Sequence, residues 1–340
     1  MATITDIANK CGISPVSVSR IINGSKAFAP ATIQNVEQAM NCLGYAPKQT
    51  RTGPKTKKRE GIHTHTIVYL SVDRAKPEKL YQKAVYPALL HGIHEAVNSH
   101  HLNLALAHSP DASTVPPILS RQQADGVLLF GWKELRQPLK KVLADIPAVW
   151  CFRSPVDRAQ EFDHVFYNNE RVGQLAADYL TKRGHRHLAY AGFPSGNRAV
   201  TIRGKYFTEA VKQLGGEVKT ATADINKQTF MEQSSTIAGQ LLAMTPRPSG
   251  VFVPTDERMV GLFHSLQQKS PEAMHEIELL GCNNDQSAMQ YMHPRPATID
   301  LKLGEVGKHA VEQLLVRMKN PKANNRIETL IQPEGIPAQT

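Results

Sequence analysis

The feature that most limits what this chain can fold into is the punctuation of its first two dozen residues, Thr3 to Asn23. Thr3-Ile-Thr-Asp6 has the form of a capping box, with Asp in place of the usual Glu, and opens a helix. Ile4, Ile7, Ala8 and Cys11 recur at helical spacing and give it one apolar face. Gly12 ends it, and Ser14-Pro15 starts a second helix with Ser as N-cap and Pro in the first turn. Val18, Ile21 and Ile22 form that helix's core side. A third helix is expected from about Pro30 to Leu43, with Ile33, Val36, Met40 and Leu43 on one face and Gly44-Tyr-Ala-Pro47 as its stop. Helices this short need tertiary packing to persist. Three of them around one small core, with a tight Gly turn between the first two, is helix-turn-helix geometry, in which the start of the second helix meets base edges.

Charge supports a polyanion at this end. The chain carries +10 overall, and residues 1–60 hold nine Lys/Arg against Asp6, Glu37 and Glu60, an excess of six. The remaining 280 residues are nearly balanced. At 340 residues two or three domains are expected. No apolar run approaches the roughly 18 residues of a membrane span, and no charged n-region precedes an apolar core, so a cytoplasmic protein without membrane contact is expected. Cys11, Cys42, Cys151 and Cys282 are far apart and form no C-x-x-C pair, so reduced thiols are expected rather than a zinc site.

The elements T-I-x-D-I-A, G-I-S, V-S-R-I-I-N and A-M-x-x-L-G-Y-x-P, in this order over about 45 residues, resemble the DNA-binding domain of the LacI/GalR family of bacterial transcription regulators. The resemblance implies that Thr5, Ser14, Ser19, Asn23, Thr32, Tyr45 and Lys48 touch DNA, mostly its backbone. On the second helix it places Pro15, Val16, Ser17 and Arg20 at the bases. There Val16 suits a thymine methyl, Ser17 a base edge or phosphate, and Arg20 a guanine. The family's hinge helix, with its wedging Leu, has no counterpart. Residues 48–59 include Gly53 and Pro54, which oppose a helix, and no Leu or Met occurs between Pro47 and Ile62. Arg51 and Lys55 flank Thr-Gly-Pro in an extended run. This arm is either a minor-groove element for A·T-rich DNA or a basic linker making phosphate contacts.

From Thr66 the pattern changes to alternating strands and helices. Strands are expected at 67–70, 102–107, 126–130 and 148–152, with helices at 82–98, 115–121 and 134–144 between them. The rhythm recurs with strands at 188–191, 250–253 and 277–281, and helices at 170–183, 203–214, 229–243, 257–268 and 304–318. A polar tail follows from Asn320. This is an α/β chain with parallel sheets in two lobes, and ligands of such sheets bind beyond the carboxyl ends of the strands.

Asn168-Asn169 with Gly173, Tyr179-Leu180, Gly184-His185, Ala191-Gly192, Arg203 with Phe207 and Ala210, Thr255-Asp256, Leu280-Gly281, and Pro296-Ala-Thr298 with Gly307 resemble the effector domain of the same family. That domain is similar to periplasmic sugar-binding proteins. The resemblance implies a homodimer with a sugar, sugar phosphate or purine between the lobes. It puts Arg203 and Asp256 on the ligand, and Asn168, Asn283, Ser71 and Asp73 in the pocket. Phe130 and Phe152 stand at strand ends where relatives place polar groups; their rings either stack on a ligand or fill the cleft.

Other chemistry is poorly supported. Gly192-Phe-Pro-Ser-Gly196 is not a nucleophile elbow, and neither a P-loop nor a G-x-G-x-x-G cofactor cradle is present. His91, His94, His100 and His101 are expected to be solvated or capping histidines rather than metal ligands. The expected organisation is a helix-turn-helix head over 1–47, a basic arm over 48–64 and a two-lobed effector and dimerisation domain over 65–340. The expected function is a transcriptional repressor on double-stranded operator DNA, not an enzyme, controlled by a sugar-like effector; the alternative is the same regulator without one.

Overall fold

A computed structural model of the chain describes residues 2–22, 25, 27–45, 63–73, 85–131, 133–152, 161–193, 198–224, 226–290, 292–321 and 323–339. The chain forms two compact units, residues 1–58 and 59–340.

The first unit contains α1 (Ile4–Cys11), α2 (Pro15–Ile22) and α3 (Pro30–Cys42). The capping box is complete. The Asp6 N–H donates to the Thr3 hydroxyl at 3.3 Å, and the Thr3 N–H donates to the Asp6 carboxylate at 2.8 Å. Gly12 closes α1 at φ +66°, a left-handed conformation that a side chain would disfavour. Ser14 starts α2 by accepting the Ser17 N–H at 3.1 Å. Ile7, Ala8, Val18, Ile21, Val36 and Ala39 form the core, with Ile4, Cys11, Ile33, Met40, Leu43 and Tyr45 packed around it.

The second unit has two parallel sheets. The first contains β1 (Thr66–Val72), β2 (Asn103–His108), β3 (Gly126–Gly131), β4 (Ala148–Cys151), β5 (Asp163–Tyr167) and β11 (Glu328–Ile331), in the order β11-β5-β4-β3-β1-β2. The second contains β6 (His187–Gly192), β7 (Glu217–Thr222), β8 (Gly250–Phe252) and β9 (Glu278–Leu280), in the order β7-β6-β8-β9. A separate two-stranded sheet pairs β10 (Thr298–Asp300) antiparallel with β12 (Glu334–Ile336), and Ala297 just before β10 bridges to Leu280 of β9. The chain passes between lobes after Tyr167, after Asp300 and after Ile331. Helices α4 (Val85–Ser99) and α13 (Leu303–Lys319) pack together against the first sheet, while α7 (Asn169–Lys182) and α8 (Arg198–Gln213) pair in the second lobe. The remaining helices are α5 (Pro117–Ser120), α6 (Leu139–Ala144), α9 (Phe230–Ala243), α10 (Asp256–Lys269), α11 (Ala273–Glu276) and α12 (Gln286–Met289).

Several elements differ from the sequence expectation. The polar tail after Asn320 carries two strands; β11 adds an edge to the first sheet, and β12 joins β10. Both are short and mostly exposed, so they lack the apolar run that marks a buried strand. Strands β5 and β7 were likewise hidden by polar residues such as Asp163, His164 and Lys219. Asp163 is buried because Arg317 pairs with it through two bonds of 2.6 and 3.0 Å, tying α13 to β5. Helix α8 begins at Arg198 rather than Arg203, and its first turn is held where the Tyr190 hydroxyl donates to the Val200 carbonyl at 2.7 Å. The expected helices at 115–121 and 134–144 shorten to α5 and α6.

The α4–α13 contact is close enough to exclude side chains. A Cβ on Gly92 would lie 2.0 Å from the Gly304 carbonyl oxygen, and one on Gly307 would lie 2.4 Å from that of Leu89. Gly92→Ala is expected to push the two helices apart and destabilise the second unit by about 1–3 kcal/mol, read as a lower urea midpoint.

Candidate functional site

The helix-turn-helix presents one outward face. On α2, Val18 and Ile21 are buried, which turns Pro15, Val16 and Arg20 to solvent. Val16 is 68% exposed, unusual for a β-branched apolar side chain, and Arg20 lies one turn further along the same face. The Ser17 hydroxyl is 2.9 Å from that of Ser14, and either can donate. Ser19 and Thr32 are half-buried, Thr5 is exposed, and Tyr45 leans on the small core. Asn23, Lys48, Arg51 and Lys55 lie outside the described residues.

The second candidate site lies between the lobes, where β1, β3, β4 and β5 from one side and β8 and β9 from the other end. Rings run along the first wall. Tyr69 and Tyr86 meet edge to face at 5.5 Å between centroids, Phe130 lies 5.7 Å from Tyr69, Phe152 lies 5.3 Å from Phe130, and Tyr167 lies 5.3 Å from Phe152. Arg203 rises from the second lobe and sets its guanidinium 5.5 Å from the Tyr167 ring centroid. It is 3% exposed, yet its nitrogens are matched. Nε donates to Asn169 at 2.9 Å; Nη1 donates to the Pro254 carbonyl at 2.6 Å and Asn283 at 3.4 Å; Nη2 donates to the Tyr167 hydroxyl at 3.3 Å.

Of the pocket candidates, Phe130, Phe152, Arg203 and Asn283 are therefore drawn together, with Tyr167 as the link. The others serve elsewhere. Asn168 caps α7 by accepting the Arg171 N–H at 3.0 Å and donates to Gln332 at 3.2 Å. The Ser71 hydroxyl lies 2.8 Å from His108 Nδ1 across β1 and β2, and Asp73 follows β1, half-buried. Asp256 is fully buried. Its carboxylate accepts the Thr298 hydroxyl and the Asp285 N–H, both at 2.7 Å, and so fastens the loop after β9 to β10. Tyr69, Tyr86 and Tyr167 were not singled out in the sequence, and Asn169 was named only as part of the effector-domain resemblance, not as a pocket residue. Tyr167 ends a strand that its polar residues concealed, so its position at the cleft was hidden too.

Backbone strain gathers around the site. Phe152 has φ +81°, and Asn283 and Asn284 have +111° and +55°. A bulky residue in the left-handed region is rare and costs about 1–3 kcal/mol, so the surrounding packing has to hold it. Cys282 is buried nearby, and burial pushes its thiol up to about 12. Elsewhere, His91 Nε2 lies 3.5 Å from Glu95 Oε1 with both side chains exposed. Among the described residues no three His, Cys, Asp or Glu side chains converge as a metal site, and no helix is long and apolar enough to cross a membrane.

Comparison with known proteins agrees with this layout. Residues 3–48 match the family of bacterial regulatory proteins, lacI family, and residues 177–339 match the periplasmic binding protein-like domain. The HTH-type transcriptional repressor PurR of Vibrio atlanticus (strain LGP32) is 28% identical over 338 residues, covering 96% of this chain and 95% of that one. The ribose operon repressor of Escherichia coli (strain K12) is 26% identical, covering 94% of each. Among solved structures, the transcriptional regulator CelR in its cellobiose complex superposes with a TM-score of 0.65 at 20% identity, covering 100% of this chain and 99% of that one. The Lac repressor bound to ONPG gives 0.62 at 16% identity, covering 99% and 98%. The architecture defines a DNA-binding transcriptional regulator with a helix-turn-helix head and a two-lobed α/β body. Its residues 3–48 match the lacI family of bacterial regulatory proteins, and the whole chain is similar in sequence to named transcriptional repressors.

Burial pushes the Asp256 carboxyl up to about 6, against the pull of the Asp285 N–H and the Thr298 hydroxyl. The native group thus keeps its proton to higher pH than the unfolded one, whose value is near 3.8. Its contribution to stability is full below that lower value and declines as pH rises through about 6, by on the order of 1.4 kcal/mol per unit. Urea unfolding of Asp256→Asn across this window is expected to lack the decline that the parent chain shows.

Proposed function

We propose that this chain is a dimeric repressor that binds a near-palindromic operator through paired helix-turn-helix heads and answers to a small sugar-like molecule between its lobes. Residues 1–47 are the DNA-binding head, 48–64 a basic arm, and 65–340 the effector and dimerisation domain. The observation that carries the DNA reading is the solvent-facing Val16–Arg20 side of a capped, packed α2. Val16 offers an apolar surface for a thymine methyl, and Arg20 a fork for guanine. Thr5, Ser14, Ser19, Asn23, Thr32, Tyr45 and Lys48 hold the backbone, and Arg51 and Lys55 extend the contact along it. The working place is the cytoplasm, with DNA.

The effector reading rests on Arg203, whose guanidinium bridges the two lobes by donating to Pro254 and Tyr167 and whose fork is of the kind that binds a sugar hydroxyl pair or a phosphate. Two relatives bear names that point the same way, a ribose operon repressor and a regulator solved with cellobiose. An effector alters operator affinity only through its differential affinity for the two lobe arrangements.

Arg20→Ala is expected to lose discrimination between operator and scrambled duplex. One bidentate base contact is worth about 1–3 kcal/mol, a drop of roughly 5- to 150-fold. Sedimentation is expected to find the dimer intact. Unchanged selectivity in a fluorescence-anisotropy titration would remove Arg20 from the base-reading set.

A further inference from the structure

The ring of Phe152 lies at the carboxyl end of the first sheet, the side on which open α/β sheets bind their ligands. It follows β4 directly and is 6% exposed. It packs between Phe130 and Tyr167, each at 5.3 Å between centroids. Tyr167 is also the residue that Arg203 reaches from the opposite lobe. A sugar stacked on Phe130 or Tyr167 and bonded to Arg203 would need the volume that the Phe152 ring fills.

The backbone shows that this placement is imposed. Phe152 sits at φ +81°, where glycine is favoured and an aromatic residue is strained. Its N–H still donates to the Val165 carbonyl at 2.8 Å, so the chain stays in register with β5 while the ring is directed into the cleft. Across the cleft, Asn283 is also left-handed, at +111°, and its side chain accepts from Arg203. Both walls thus hold unfavourable backbone in a state that satisfies Arg203 with protein groups alone.

We propose that Phe152 is an internal plug, a side chain that occupies the ligand seat of the interlobe cleft and competes with the effector for it. The inference rests on reading the cleft as an effector site. An effector has to displace the ring and take over Arg203 from Pro254, Asn283 and Tyr167. Its apparent affinity is reduced by the small fraction of chains with the ring displaced. Phe152 therefore sets which ligands succeed: those that regain what the ring and its neighbours lose on separation.

Phe152→Gly tests this in the full chain, because glycine removes the ring and suits the left-handed backbone. The probe is indole, which enters ring-sized apolar cavities. Indole is expected to raise the melting temperature of F152G saturably and to leave the parent chain unchanged. Ribose 5-phosphate, as a sugar phosphate probe, is expected to bind F152G at least roughly tenfold more tightly than the parent. The proposal is overturned if indole leaves F152G unchanged, or if it stabilises the parent chain equally. Phe152→Ala is read in the same way should F152G fail to fold. If ribose 5-phosphate, ribose and glucose bind neither chain while indole still binds F152G, the plug stands and the sugar-effector reading falls. Operator binding of the parent, measured on the same preparation, tests the DNA reading separately.

Discussion

The second unit depends on one buried charge. The Arg203 guanidinium remains protonated in any protein environment, and removing it from water is costly unless hydrogen bonds replace the hydration. Its acceptors come from places far apart in the chain. Asn169 opens α7, Pro254 follows β8, Asn283 follows β9, and the Tyr167 hydroxyl ends β5 in the other lobe. Satisfying one side chain thus requires both lobes and four connections to be in place together. The aromatic row from Tyr86 to Tyr167 supplies the apolar half of the same closure, excluding water and so strengthening each of those bonds.

The head follows a different logic. It has little apolar area to bury, and its helices are too short to stand alone. Local devices carry much of its definition: the reciprocal Thr3–Asp6 cap, the left-handed Gly12, and the Ser14 cap on α2. These orient α2 so that Val18 and Ile21 complete the core while Val16 and Arg20 face outward. In the body, close helix contact through Gly92 and Gly307 and the buried Asp163–Arg317 pair play the corresponding role over long sequence distances.

The difference explains which parts were legible in the sequence. The capping box, the Gly turn and the apolar faces of α1 to α3 are local signals, and each is present in the structure. Buried strands such as β1 and β3 read clearly because both faces are covered and the run is uniformly apolar. Strands β5, β7, β11 and β12 did not, because their polar residues are stabilised by partners elsewhere or face water at an edge. At the cleft, Arg203, Phe130, Phe152 and Asn283 were named from the sequence, whereas Tyr167, which joins them, was not.

The sequence by itself determined the class of this protein, because caps, turns and hydrophobic periods act over a few residues and specify a helix-turn-helix followed by two α/β lobes. Only the tertiary structure decided what the cleft contains. Whether an aromatic side chain at a strand end stacks on a ligand or fills the ligand's place depends on the backbone angle at Phe152 and on acceptors for Arg203 that lie up to 80 residues away. That information is held in long-range packing, which no local pattern records.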